Sequence, residues 1–216
     1  VSRVVIADDH AIVREGLKRI LGDAGGFEVV AEAADGGQVM DLVREAEFDL
    51  LVLDLSMPGR SGMELVKLVH SHKPRVRILV LSMHQENQYA VRAIKAGASG
   101  YLTKESAPAE LAQALRKIAG GGAYVSAEVA QQLALGAMPG GAQEAPPHEA
   151  LSGREFEVLQ QLAAGRSVTE IAQGLSLSVK TVSTHKSNLM HKLGLNNPSD
   201  LVRYAIRHGL VDAIEP

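Results

Sequence analysis

Short, almost wholly apolar runs recur through the first 120 residues, each followed by a longer amphipathic stretch, and this alternation leaves few architectures open. The runs are Val4-Val5-Ile6-Ala7, Glu28-Val29-Val30-Ala31, Leu50-Leu51-Val52-Leu53, Ile78-Leu79-Val80-Leu81 and Gly100-Tyr101-Leu102. Most are apolar nearly throughout, which suits parallel strands covered on both faces. The stretches between them carry helical stripes. Ile12, Val13, Leu17, Ile20 and Leu21 form the first of these. Successive strand–helix repeats of this kind predict an α/β doubly wound five-stranded parallel sheet. Ligands of such sheets sit at the carboxyl ends of the strands.

The pattern changes after Gly120-Gly121-Gly122. A short helix is expected near Ser126–Leu135, and the Gly- and Pro-rich stretch from Gly136 to Pro147 reads as a flexible linker. The chain therefore divides into residues 1–120, a connecting segment 121–150, and residues 151–216. The last part reads as a small all-α helix-turn-helix domain with legible helix ends. Ser152 with Glu155 and Ser167 with Glu170 are capping boxes, and Leu151 with Phe156 is a hydrophobic staple. Ser178 caps a third helix, with Leu177 and Val182 placed for a staple, and Asn197-Pro198 opens a fourth. Gly165, Gly174, Gly194 and Gly209 read as stops. The short Gly174–Ser178 connection is that of a helix-turn-helix.

Several function classes drop out. There is no cysteine, so thiolate metal sites, disulfides and thiol nucleophiles are excluded. None of the eight histidines forms a metal-ligand pair, and His70 with His72 reads as part of a solvated helix face. No apolar run reaches the roughly 18 residues of a membrane span. The first residues run straight into a strand pattern rather than a signal peptide. A cytoplasmic protein is expected. The net charge of −3 argues weakly against nucleic acid, but residues 179–192 hold Lys180, Lys186, Lys192, His185 and His191 with no acid among them. Local charge is what DNA meets.

Chemistry concentrates at the predicted strand ends. Asp8 and Asp9 follow the first run, Asp54 the third, Ser82 ends the fourth, and Lys104 follows the fifth. Carboxylates gathered at one sheet edge repel one another, and a divalent cation resolves this. Mg²⁺ suits an all-oxygen set. An Asp carboxylate can act as nucleophile toward phosphorus, and Lys104 offers a point charge for phosphate. A strand-end Asp alone would be a plain helix cap; the gathering of all these residues is what points to a site.

Residues 1–120 resemble the receiver domain of two-component response regulators. The resemblance rests on Ile6-Ala-Asp-Asp-His10, on Leu53-Asp-Leu-Ser-Met-Pro-Gly-Arg-Ser-Gly62, and on Lys95-Ala-Gly-Ala-Ser-Gly-Tyr-Leu-Thr-Lys104. It implies a flavodoxin-like fold and a phosphoryl group accepted by Asp54 from a sensor histidine kinase. It further implies Mg²⁺ held by Asp9, Asp54 and the backbone carbonyl of Ser56, with Asp8 acting through water. Ser82 and Tyr101 would form the switch pair, and Lys104 would be the cation of the site. Glu105 follows Lys104 where many members have proline.

On a helical wheel for 179–193, Val179, Val182, Leu189 and Leu193 share one side. The other carries Lys180, Ser183, Thr184, Ser187, Asn188 and His191, a small, polar or cationic face that can enter a major groove. Residues 151–210 resemble LuxR-type helix-turn-helix domains, through Leu151-Ser-Gly-Arg-Glu155-Phe-Glu-Val-Leu159, Glu170-Ile-Ala, Ser178-Val-Lys-Thr-Val-Ser-Thr-His185 and Met190-His-Lys-Leu-Gly194. A receiver followed by such a domain is the layout of the NarL/FixJ subfamily. The resemblance places Ser183, Thr184 and Ser187 nearest base edges, and Lys180, Thr181 and Asn188 nearer the backbone. It implies a transcription regulator rather than an enzyme, a homodimer when phosphorylated, a two-fold symmetric DNA site, and RNA polymerase as a further partner. An aspartyl-phosphate hydrolase would use similar carboxylates, but it needs a second acid–base Asp just after its nucleophile, where Ser56 stands. A receiver acting only through protein contacts would not need the basic helix.

Overall fold

The computed structural model describes residues 1–57, 62–83, 87–136 and 146–210. Residues 58–61, within the motif that follows Asp54, and most of the expected linker, 137–145, lie outside them. The chain forms two compact units, Val1–Ala137 and Met138–Pro216.

The first unit is an all-parallel sheet of β1 (Ser2–Ala7), β2 (Phe27–Ala33), β3 (Leu50–Asp54), β4 (Arg77–Ser82) and β5 (Gly100–Thr103), in the order β2-β1-β3-β4-β5. Every residue of β3 is buried, as a central strand with helices on both faces requires, whereas β2 at the edge keeps Glu28 exposed. Between the strands run α1 (Ala11–Ala24), α2 (Gly36–Glu45), α3 (Gly62–His72) and α4 (Asn87–Lys95), and α5 (Ala107–Ala119) follows β5. Helices α1 and α5 pack together, while α2, α3 and α4 adjoin one another in sequence order. The α1/α5 layer closes over Val4, Ile6, Val52, Leu79 and Leu102 with Leu17, Leu111 and Ile118.

Register places the chemistry. Ala7 lies opposite Leu53, Asp54 opposite Leu81, and Ser82 opposite Thr103. Asp8, Asp54 and Ser82 therefore reach the same edge, and Lys104 N–H donates to the Ser82 carbonyl at 2.8 Å.

The short helix expected near Ser126–Leu135 is α6 (Ala127–Gly136), and it packs on α4. Tyr124 forms a parallel bridge with Gly100 just beyond the β5 edge, and its carbonyl accepts from Tyr101 N at 2.9 Å. The Tyr124 hydroxyl donates to Glu110 at 2.6 Å. Glu110 and burial together push that hydroxyl's pKa up to about 12.

The second unit holds a 3-10 turn (Pro147–Ala150) and α7 (Gly153–Ala163), α8 (Val168–Gly174), α9 (Val179–Leu193) and α10 (Pro198–Arg207). Both capping boxes form as the sequence predicts, and Ser178 and Asn197 accept from Thr181 N and Asp200 N. Gly194 ends α9 in the left-handed region at φ 64°, where a Cβ would be strained. Gly174 departs from expectation. It is the last residue of α8, Leu175 is the cap, and the left-handed residue of the turn is Ser176 at φ 53°. The helix thus takes in its glycine as its last residue, and a serine carries the conformation that a stop signal assigns to glycine.

Candidate functional site

Two buried carboxylates face one ammonium at the sheet edge. Asp8 and Asp54 are both fully buried, and Lys104 Nζ lies 2.7 Å from Asp8 Oδ2 and 2.8 Å from Asp54 Oδ2. Asp8 Oδ1 accepts from His10 N at 2.8 Å, and Ser56 N donates to Asp54 Oδ1 at 3.1 Å. Asp9 is exposed and meets the ring of His10, with Nδ1 at 2.9 Å. Ligand atoms of Asp8, Asp9, His10 and Asp54 all lie within 4.8 Å of one another.

The charges do not balance. Burial pushes the Asp54 carboxyl upward, and the neighbouring Asp8 adds to this. Lys104 and the Ser56 amide pull it down but leave it above its ordinary value. Burial pulls the Lys104 ammonium down, but hydrogen bonds to Asp54 and Asp8 outweigh this and its pKa is raised. One cation thus stands against several clustered carboxylates, two of them deprived of water. An all-oxygen set with spare negative charge suits a hard divalent ion, whereas a lone imidazole among these oxygens adds little for Mg²⁺.

The remaining residues expected at this edge are placed as follows. Ser82 is fully buried at the end of β4. Tyr101 is buried on β5, and it helps line a 470 Å³ groove with Ala90, Ser106, Glu110, Tyr124 and Val129.

In the second unit, Val182, Leu189 and Leu193 of α9 turn inward as the wheel requires. Val179 does not. It is 49% exposed, although Val182 three residues on is fully buried. Lys180, Ser183, Thr184, Ser187, Asn188 and His191 are exposed together, while Thr181 and Lys186 are half-buried. No acid occurs in the first turn of α9, whereas α7, α8 and α10 each carry one there. Carboxylates normally favour that position, so their absence leaves this helix face electropositive. Lys192 is exposed but engaged, since its Nζ lies 2.7 Å from Glu155 Oε2.

Residues 4–116 match the response regulator receiver domain family, and residues 149–205 match the luxR family of bacterial regulatory proteins. The chain belongs to the response regulator family. It is 37% identical over 210 residues to response regulator UvrY of Escherichia coli (strain K12), covering 97% of this chain and 96% of that protein. It is 36% identical over 211 residues to response regulator GacA of Pseudomonas aeruginosa, covering 98% of both. A solved structure of RcsB from Salmonella enterica serovar Typhimurium, bound to promoter P1flhDC in the presence of the phosphomimetic BeF3-, is similar at a TM-score of 0.62. Its sequence identity is 32%, over 95% of this chain and 98% of that one.

Within this response regulator, two features escaped the sequence reading. One is the Tyr124–Glu110 contact described above. The other is the Lys192–Glu155 contact: buried Glu155, besides accepting from Ser152 N at 2.8 Å in the expected capping box, accepts from Lys192 at 2.7 Å, and so joins the start of α7 to the end of α9. Burial pushes its carboxyl up, but Lys192 and Ser152 outweigh this and hold it below the ordinary 4.5. A carboxyl lowered on folding contributes stability that is full above its unfolded pKa and fades as pH falls through the folded one. Protection of α7 and α9 amides against hydrogen exchange should therefore weaken as pH drops below that range. Glu155→Gln should cost about 1 kcal/mol at pH 7, allowing for the solvent around Lys192, and should flatten that dependence. A variant as pH-sensitive as the parent would remove Glu155 from this role.

Proposed function

We propose that the chain is a phosphorylation-controlled transcription regulator, in which residues 1–120 carry the receiver chemistry, 121–150 connect, and 151–216 bind DNA. The observation that carries the first half is the buried Asp8–Lys104–Asp54 arrangement. Asp54 attacks the phosphorus of a donor, normally a phosphorylated sensor histidine kinase. The bond to the donor breaks and its electron pair leaves with the donor. The product is an aspartyl phosphate. Lys104, already held at 2.8 Å from Asp54, stays beside the new phosphoryl oxygens as a fixed positive charge. Asp9, Asp54 and the Ser56 carbonyl would hold Mg²⁺, with Asp8 acting through water; the ion supplies neutralisation of phosphoryl charge. Ser82 and Tyr101 read the modification, and the result controls dimerisation and DNA binding. The aspartyl phosphate is a timed signal rather than a turnover intermediate, so the chain is not an enzyme in the ordinary sense.

Removing one ligand charge tests the metal assignment. Asp9→Ala should weaken Mg²⁺ binding in a titration and slow labelling by acetyl phosphate, and because Asp9 is exposed the fold should be kept. Undiminished Mg²⁺ affinity would make the acidic cluster purely structural.

For the second half, the acid-free exposed face of α9 supports insertion into the major groove. Ser183, Thr184 and Ser187 lie nearest base edges, and Lys180, Thr181 and Asn188 nearer the phosphates. A relative that is similar over 95% of this chain and 98% of its own was solved bound to promoter DNA. A dimer would meet a two-fold symmetric site, and RNA polymerase is the partner through which transcription would respond. The direct experiment is selection from a random duplex pool by the full chain, with and without acetyl phosphate and Mg²⁺. A defined sequence bound more tightly after phosphorylation is the expected result, and no preference for any sequence ends the reading. On the selected duplex, Lys180→Ala should weaken binding to all sequences alike and lower the salt slope by about one. An unchanged slope would take Lys180 off the phosphates.

A further inference from the structure

The exposed side of α9 carries methyl groups beside its hydrogen-bond donors. Thr184 Oγ1 donates to the Lys180 carbonyl at 3.0 Å, so its hydroxyl is turned back into the helix and its methyl is left to face outward. Thr181 is similarly engaged, with its hydroxyl 2.7 Å from Ser178 Oγ in the cap. Arginine and glutamine are absent from α9, which leaves Lys180 and Asn188 as the exposed side chains suited to paired hydrogen bonds with guanine and adenine. The exposed apolar group is Val179, at the first position of the helix and four residues before Ser183, so the two lie on one line along its surface. Packing does not account for a β-branched residue there, since Val182 fills the adjacent core position and Val179 is half exposed.

We propose that Val179 is a specificity residue that recognises the C5-methyl of thymine, with the Thr184 methyl as a second, weaker reader. The inference rests on α9 entering the major groove, and it adds what is read there. The thymine methyl is the one apolar feature that the major groove offers, and it lies at the groove surface where a short apolar side chain can touch it. A helix entering by its amino-terminal turn brings Val179 to the bases ahead of the rest of the face.

The test uses the duplex selected from a random pool by the full chain in acetyl phosphate and Mg²⁺, resynthesised with each thymine in turn replaced by deoxyuridine. That exchange removes a methyl and keeps every hydrogen bond of the pair. At least one position in each half-site should weaken binding by about fourfold, the effect of one buried methyl-sized group. Val179→Ala should bind the thymine duplex more weakly and lose the discrimination at that position. Thr184→Ser, which keeps the hydroxyl bond and removes only the methyl, should lose it at a different one. Equal binding of thymine and deoxyuridine duplexes overturns the proposal, as does a penalty that survives Val179→Ala at every position. Failure to select any duplex would instead strike at α9 as a DNA-reading helix, so the two failures are distinct.

Discussion

Asp54→Asn should reduce labelling of the full chain by acetyl phosphate and Mg²⁺ to background while leaving the molecule folded. The substitution keeps the shape of the side chain, and its amide oxygen can still accept from Ser56 N or from Lys104. It removes the negative oxygen proposed to attack phosphorus. Stability supplies the internal control. The Asp54 carboxyl has its pKa raised in the folded chain, chiefly by burial, so its charge is a cost to the folded state at neutral pH. Neutralising it should leave the melting temperature of the receiver unchanged or higher. Loss of labelling together with an intact or raised melting temperature assigns the effect to chemistry. Labelling of the variant at the parent rate would remove Asp54 as acceptor.

Phe156→Ala should have the opposite profile. Phe156, the fourth residue of α7, is fully buried and is among the largest side chains so enclosed. Emptying such a position costs about 3–5 kcal/mol, and a whole domain is stable by about 5–15 kcal/mol, with small ones at the low end. The second unit should therefore lose most of its protection against hydrogen exchange, and the chain should lose its affinity for the selected duplex. The first unit has its own core, so labelling at Asp54 should persist. Full DNA affinity in this variant would mean that α7 is dispensable to the second unit, contrary to the packing of α7 against α9 and α10.

The receiver was readable from the sequence because its strands obey one strong rule. A parallel strand covered on both faces must be apolar along its length, and β3 and β4 leave little room for another assignment. The helix starts of the second unit were readable because capping is settled within three residues, as in Ser152 with Glu155. What the sequence hid depends on what stands opposite. A helical wheel gives Val179 an angle, but it cannot say that the residue ends half exposed while Val182 is fully buried. Glycine was the expected stop after α8, yet the turn places Ser176 in the left-handed region and leaves Gly174 helical. Glu155 and Lys192 lie 37 residues apart, and Tyr124 and Glu110 are separated by a turn that three glycines make hard to trace. No local pattern marks such pairs. At the site, the gathering of Asp8, Asp54 and Lys104 followed from strand order, whereas the unequal burial of Asp8 and Asp9 did not.

The caps of the second unit also bear on how fast each half of the chain can form. Its helices are started by partners three residues apart, and such short-range structure assembles quickly. The first unit has to bring Val4 beside Leu50 and Leu53 beside Val80 before its sheet exists at all. Closing those long loops sacrifices chain entropy before any strand pairing compensates for it, which makes parallel sheets slow. During synthesis the slow half leaves the ribosome first, at about 5–20 residues per second. The sheet therefore has several seconds to find its register before the quick helical half has emerged.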